Sequence, residues 1–164
     1  MKKIILLFLM FSAIVFAEWK VSAGSSDDGT EVATFFTTYD YETESFLSIG
    51  VVLEDYDGYS FIMIKNKKMM ENDYLTLIIK DNEGDTINYQ FTDGDIYEQG
   101  GAFIGSKQGD LLTKMLYKGQ SAILYNNDTD EVLASFDLKG LQKVMKKHVG
   151  SSSWYRYKLN SIYD

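Results

Sequence analysis

Cysteine is absent from all 164 residues, and that one absence excludes a disulfide framework, a thiolate metal site and a lipid-modified cysteine together. Whatever holds this chain folded is its core. Proline is absent as well, against thirteen glycines, so the turns must be made by Gly, Asn and Asp. Arginine occurs once, at Arg156, beside 24 acidic residues and a net charge of -8. A chain this acidic repels phosphate backbones, so neither nucleic-acid binding nor docking on anionic lipid is expected. Histidine also occurs once, at His148 near the end of a lysine-rich run, and no Gly-x-Ser-x-Gly elbow exists. Nucleophilic catalysis needs a base beside the nucleophile and a group to orient it, and this sequence does not assemble one. The glycine-rich stretch 93–109 lacks phosphate-loop and dinucleotide spacing and reads as tight turns.

What is present begins with a leader. Lys2 and Lys3 precede an apolar run over residues 4–16, and Val15, Phe16 and Ala17 supply a small-residue cleavage signal, so residues 1–17 read as a signal peptide. The mature chain is expected to start at Glu18, with the two lost lysines taking the net charge from -8 to -10. Export to the periplasm or outside the cell follows. No later apolar run approaches the roughly 20 residues a spanning helix needs, so an integral membrane protein is not expected. The remaining 147 residues form one domain that can bury roughly 68% of its unfolded surface. Residues 18–149 read as a single β-rich domain and residues 150–164 as a linker with a C-terminal strand or tail.

The clearest local signal is a hairpin: residues 74–80 and 86–91 are rich in β-branched and aromatic side chains and flank Asp81, Asn82, Glu83 and Gly84. Leu75, Leu77 and Ile79 on one arm and Ile87, Tyr89 and Phe91 on the other are predicted to face the core, with Asn88, Gln90 and Thr92 in water. A second hairpin is predicted from residues 46–53 and 59–65. Its second arm turns Tyr59, Phe61 and Met63 one way and Ser60, Ile62 and Ile64 the other, which predicts a strand inside a sandwich or barrel. Residues 120–125 and 131–136 predict a third hairpin. Residues 18–22 predict a first strand with Trp19 as a core anchor. In residues 30–39 the pair Phe35 and Phe36 predicts a bulge or a strand covered on both faces. A short helix is expected over residues 111–117, capped by Asp110, with Leu112, Met115 and Leu116 inward. A late helix is expected over residues 137–147, with Leu138, Leu141, Val144 and Met145 opposite Lys139, Lys143, Lys146 and Lys147. Residues 150–153 read as a flexible link and residues 154–159 alternate like a last strand. The predicted fold is mainly β, an antiparallel β-sandwich with a small β-barrel as the alternative, carrying one short and one late helix.

Candidate chemistry is sparse. Asp55 with Asp57, Asp81 with Glu83 and Asp85, Asp93 with Asp95, and Asp128 with Asp130 place hard oxygens in loops, as calcium requires. None follows the twelve-residue EF-hand pattern, and these are also ordinary turn residues. No cofactor is expected, and calcium is the one metal alternative. The aromatic residues at or near loops, Tyr39, Tyr41, Tyr56, Tyr59, Trp154, Tyr155 and Tyr157, are the candidate partner-binding residues.

Trp19-Lys20-Val21-Ser22 after a leader, Asp27-Asp28-Gly29-Thr30 entering a strand, and Ser135-Phe136-Asp137-Leu138-Lys139-Gly140-Leu141 turning from strand to helix give a layout similar to the VasI-like and invasion-associated locus B-like exported bacterial proteins. That resemblance implies an exported β-sandwich and brings no catalytic residue with it. The expectation is a non-enzymatic exported β-sandwich that binds a protein or glycan at the cell envelope or outside the cell. A carrier with Met63, Met69, Met70 and Met115 among the residues of an apolar cavity, and a carboxylate-dependent glycan hydrolase, are the alternatives.

Overall fold

A computed structural model describes residues 18–25, 31–54, 57–92, 94–98 and 100–161. The leader, the loop over residues 26–30, Asp55, Tyr56 and Asp93 lie outside the described residues. Among the described residues ten strands form two antiparallel sheets. Six belong to the larger: β1 (Lys20–Ser25), β2 (Val32–Asp40), β3 (Ser45–Leu53), β4 (Gly58–Lys65), β7 (Ile96–Glu98) and β8 (Gly101–Ile104), in the order β1-β2-β3-β4-β8-β7. The smaller holds β5 (Leu75–Asp81), β6 (Thr86–Gln90), β9 (Gly119–Asn126) and β10 (Glu131–Asp137), in the order β10-β9-β5-β6. The sheets are open and stacked, so the molecule is a sandwich and not the alternative barrel. Helix α1 (Ser106–Lys118) joins the sheets, and α2 (Leu141–Val149) follows β10.

Period-two alternation builds the core. Register aligns Phe36, Ile49, Ile62 and Ile104 across four strands of the larger sheet, and each is essentially inaccessible. In the smaller sheet Leu77 pairs with Leu124 and Ile79 with Ala122, and all four join the same apolar cluster. Burying one such aliphatic chain contributes about 1.5–3 kcal/mol, so these rows, with the buried Trp19 anchor, account for folding without cysteine. The β2 register runs without interruption past Phe35 and Phe36. The strand has no bulge, and it is buried on the Phe36 side while Phe35 on the other side is only half-buried.

Three expectations need correction. In the β5–β6 hairpin Ile79 is buried and Phe91 is 6% exposed, but Ile87 is 41% exposed and Tyr89 only half-buried. Because β6 is the outer strand of its sheet, the face predicted dry is only partly covered. Helix α1 begins at Ser106, and Asp110 sits within it instead of capping it. Gly109 lets this first turn press against β4, since a Cβ there would lie 2.2 Å from the Ser60 carbonyl oxygen. The late helix starts only at Leu141, after a left-handed Gly140.

The C-terminal segment departs most. Residues 155–159 form a single π-helical turn, closed by Asn160 N–H donating to the Tyr155 carbonyl at 2.8 Å; they are not a strand. Ser152 prepares it, its Oγ accepting the Tyr155 N–H at 3.1 Å and donating to the Val149 carbonyl at 2.7 Å. Serine is a helix starter as well as a linker residue. Trp154, Tyr155 and Leu159 are buried, a spacing that a helical turn places on one face and a strand does not.

Candidate functional site

The same register that aligns the core rows aligns their opposites. Phe35, Gly50 and Phe61 form one outward row, and Thr37, Ser48, Met63 and Phe103 the next. Phe35 and Phe61 meet edge-on at 5.7 Å between ring centroids, and Phe61 and Phe103 lie 5.4 Å apart with their planes tilted by 34°. Offset and edge-on geometries are the favourable ones for aromatic pairs. Phe61 lies flat on the sheet only because β3 supplies Gly50 beneath it, where a Cβ would stand 2.2 Å from the ring. The band stays open to water: Phe35 and Phe61 are half-buried and Phe103 is 44% exposed. A groove of about 710 Å³ runs along Tyr59, Phe61 and Phe103 toward Lys107 and Lys158, and one of about 180 Å³ opens between Phe35 and Phe61.

The next outward row places Tyr39 beside Phe46 and Lys65. Tyr39 and Tyr41 are nearly parallel, their centroids 5.7 Å apart and their planes 17° apart, and Lys20 Nζ lies 4.8 Å from the Tyr39 centroid. Between these rings and β10 lies an open groove of about 800 Å³, edged by Glu18, Asp40, Glu42 and Asp137. Asp40 Oδ1 accepts the N–H groups of Glu42 and Thr43 at 3.0 and 3.3 Å, and its Oδ2 accepts Ser135 N–H at 2.8 Å. Burial alone would raise this carboxyl, but donation from Ser135, Thr43 and Glu42 outweighs it and holds the pKa below the ordinary 3.8. Asp40 thus stays ionised while occupying a free N–H on the edge of β10.

The candidate aromatic residues separate. Tyr39 and Tyr41 come together, and Tyr59 shares their sheet face, its hydroxyl donating to Glu31 at 3.1 Å. Burial first, then the Glu31 bond, raise the Tyr59 pKa. Tyr157 is 73% exposed but stands apart, beneath Arg156 at 5.8 Å. Trp154 and Tyr155 are corrected out of the set, being only 2% and 4% exposed. Tyr155 Oη meets Tyr117 Oη at 2.5 Å, and burial followed by that bond pushes the Tyr117 pKa up. Phe35, Phe61 and Phe103 were not singled out from sequence, although Tyr59, Phe61 and Met63 did alternate on β4; that signal reads equally well as a second buried face.

Asp110, inside α1, bonds across to β4 and to the C-terminal turn. Its Oδ1 accepts Ser60 N–H at 2.7 Å, Ser60 Oγ–H at 2.8 Å and Trp154 Nε1–H at 3.0 Å. It thereby satisfies the β4 edge beyond the last residue paired with β8 and ties the C-terminal turn to it. Lys158 completes the tie, donating to Asp57 and to the Gly58 carbonyl, each at 2.7 Å. The loop carboxylates considered for calcium are largely engaged in turns. Asp81 Oδ1 accepts the N–H groups of Glu83 and Asp85, each at 2.9 Å. Asp95 accepts Thr92 N–H and Asp128 accepts Tyr74 N–H, each at 2.8 Å, and Asp130 accepts the Tyr125 hydroxyl. Among the described residues no three His, Cys, Asp or Glu side chains gather in an arrangement that could hold a metal ion, and no helix is long and apolar enough to cross a membrane. No family model matches the chain, nor does any curated protein or solved structure.

Proposed function

We propose that this chain is an exported, non-enzymatic β-sandwich that docks a partner protein at the cell envelope or outside the cell through the outer face of its larger sheet. The observation that carries the reading is the continuous Phe35, Phe61 and Phe103 band, which the described residues leave open although they bury the opposite face of the same strands. Contiguous exposed apolar surface marks an interaction site or an aggregation liability, and interface cores are enriched in aromatic and methionine side chains such as these. The leader and the resemblance to exported sandwich proteins support the location. Gradient sedimentation of extracts from the source cell tests it. The chain is expected in a complex heavier than itself, and Phe103→Ser is expected to release it while leaving the melting temperature nearly unchanged. Sedimentation as a free chain in both cases would contradict the reading.

A further inference from the structure

Resting on that reading, we infer that the partner seated on the Phe35, Phe61 and Phe103 band is a second copy of this chain, stacked face to face through the larger sheet. The band is self-complementary. Phe61 lies at its middle, with Phe35 and the groove of about 180 Å³ on the β2 flank and Phe103 and the groove of about 710 Å³ on the β8 flank. A half-turn about an axis that runs along the strands, between β3 and β4, exchanges the two flanks and leaves every level along the strands unchanged. It sets Phe35 of each copy against Phe103 of the other, and Phe61 against its own equivalent. Phe103 is rooted one row away, paired with Met63, but its ring leans toward Gly105, where a Cβ would stand 2.9 Å from it. That lean carries the ring to the Phe61 level.

Charge obeys the same half-turn. Exposed Glu31 edges the groove on the β2 flank and exposed Lys107 the groove on the β8 flank, and Tyr59 lines both grooves. Each carboxylate is thereby brought to the other copy's ammonium group, twice in one interface. The acidity of the whole chain does not oppose this contact, because the outward rows of β1–β4 and β8 hold Lys20 and Lys65 and no Asp or Glu. Five strands about 4.8 Å apart and seven residues of about 3.3 Å each give a face of roughly 550 Å² in projection. With side-chain relief added, that is of the order of the ~800 Å² that a standard interface buries on each partner. A foreign protein requires no such symmetry; the match of Phe35 to Phe103 and of Glu31 to Lys107 under one operation commits the face to a second copy.

The test is sedimentation velocity of the purified mature chain over a series of concentrations. A reversible monomer–dimer equilibrium is expected, and Phe103→Ser is expected to leave only monomer. Glu31→Lys and Lys107→Glu each place like charges at both ends of the interface and are each expected to weaken the dimer about tenfold. An equimolar mixture of these two variants restores opposite charge at both contacts and is expected to form a heterodimer as tight as the unsubstituted dimer. Glu83→Lys, on the exposed β5–β6 turn, makes the same charge change away from the face and is expected to leave the dimer unchanged. A mixture that associates no better than its components would overturn the inference, and so would a dimer that survives Phe103→Ser. If the purified chain is monomeric throughout while Phe103→Ser still releases it from the complex in extracts, the inference fails and the docking face stands with a different protein on it. If Phe103→Ser changes nothing in extracts either, the docking face fails as well.

Discussion

Asp110 shows how much one carboxylate oxygen can carry. Its Oδ1 satisfies a strand-edge N–H, a serine hydroxyl and an indole N–H at once. Asp110→Ala leaves these donors unpaired and is expected to cost about 2–3 kcal/mol, whereas Asp110→Asn keeps an acceptor oxygen and should lose under about 1 kcal/mol. Denaturant unfolding of the two variants measures the difference, and equal losses would refute the assignment of the bonds to that oxygen. Asp40 sets a pH dependence. Its folded pKa lies below the ordinary 3.8, so it stabilises the fold above the unfolded value and that contribution disappears as pH falls through the folded one. The melting temperature is expected to drop as pH falls from the ordinary 3.8 through the lowered folded value, and to drop less in Asp40→Asn. An unchanged acid profile in the variant would show that Asp40 contributes nothing. Neither role was legible in the sequence, because Asp110 and Asp40 act on residues 50 and 95 positions away. Local pattern reports neighbours within a few residues, and on that ground Asp110 looks like a helix cap.

At the scale of elements, the hairpins were legible because β-branched and aromatic runs between Asn, Asp and Gly turns specify them locally. The two sheets share that basis, since three predicted hairpins already pair six of the strands. What the pattern did not give was the place of each strand in its sheet, and this decides burial. Ile79 on β5 and Ile87 on β6 are directly paired, yet they are 1% and 41% exposed. Ile79→Ala is accordingly expected to cost about 2–5 kcal/mol and Ile87→Ala under about 1. Similar costs at the two positions, measured by denaturant unfolding, would contradict the edge placement of β6. The C-terminal turn looks like a strand in sequence because Trp, Arg and Lys alternate with Tyr, Tyr and Leu over six residues. Tertiary contact overrides that period: Trp154 reaches Asp110, Tyr155 reaches Tyr117, and Lys158 reaches Gly58. Removing residues 150–164 takes three buried side chains out of the core, and a clear fall in melting temperature is expected. An unchanged transition would mean the turn is not part of the fold.

The whole molecule is asymmetric in a way composition conceals. One sheet face completes a core of aliphatic rows, and the other face of the same strands carries phenylalanine, methionine and tyrosine into solvent. From sequence the two faces of β4 are indistinguishable, since both read apolar; only the stacking order of the sheets says which one is covered. Position near a loop identifies Tyr39 and Tyr41 as exposed, whereas Trp154 and Tyr155, equally near a loop in sequence, are buried. Loop proximity thus marks exposure only where no later segment folds back. The docking claim is tested most directly by placing a photo-crosslinking amino acid at position 103 in the band, and at position 87 on the exposed edge of the other sheet, in the source cell. A discrete adduct of one mass from position 103 and none from position 87 is the predicted result. Equal adducts from both positions, or none from position 103, would contradict it.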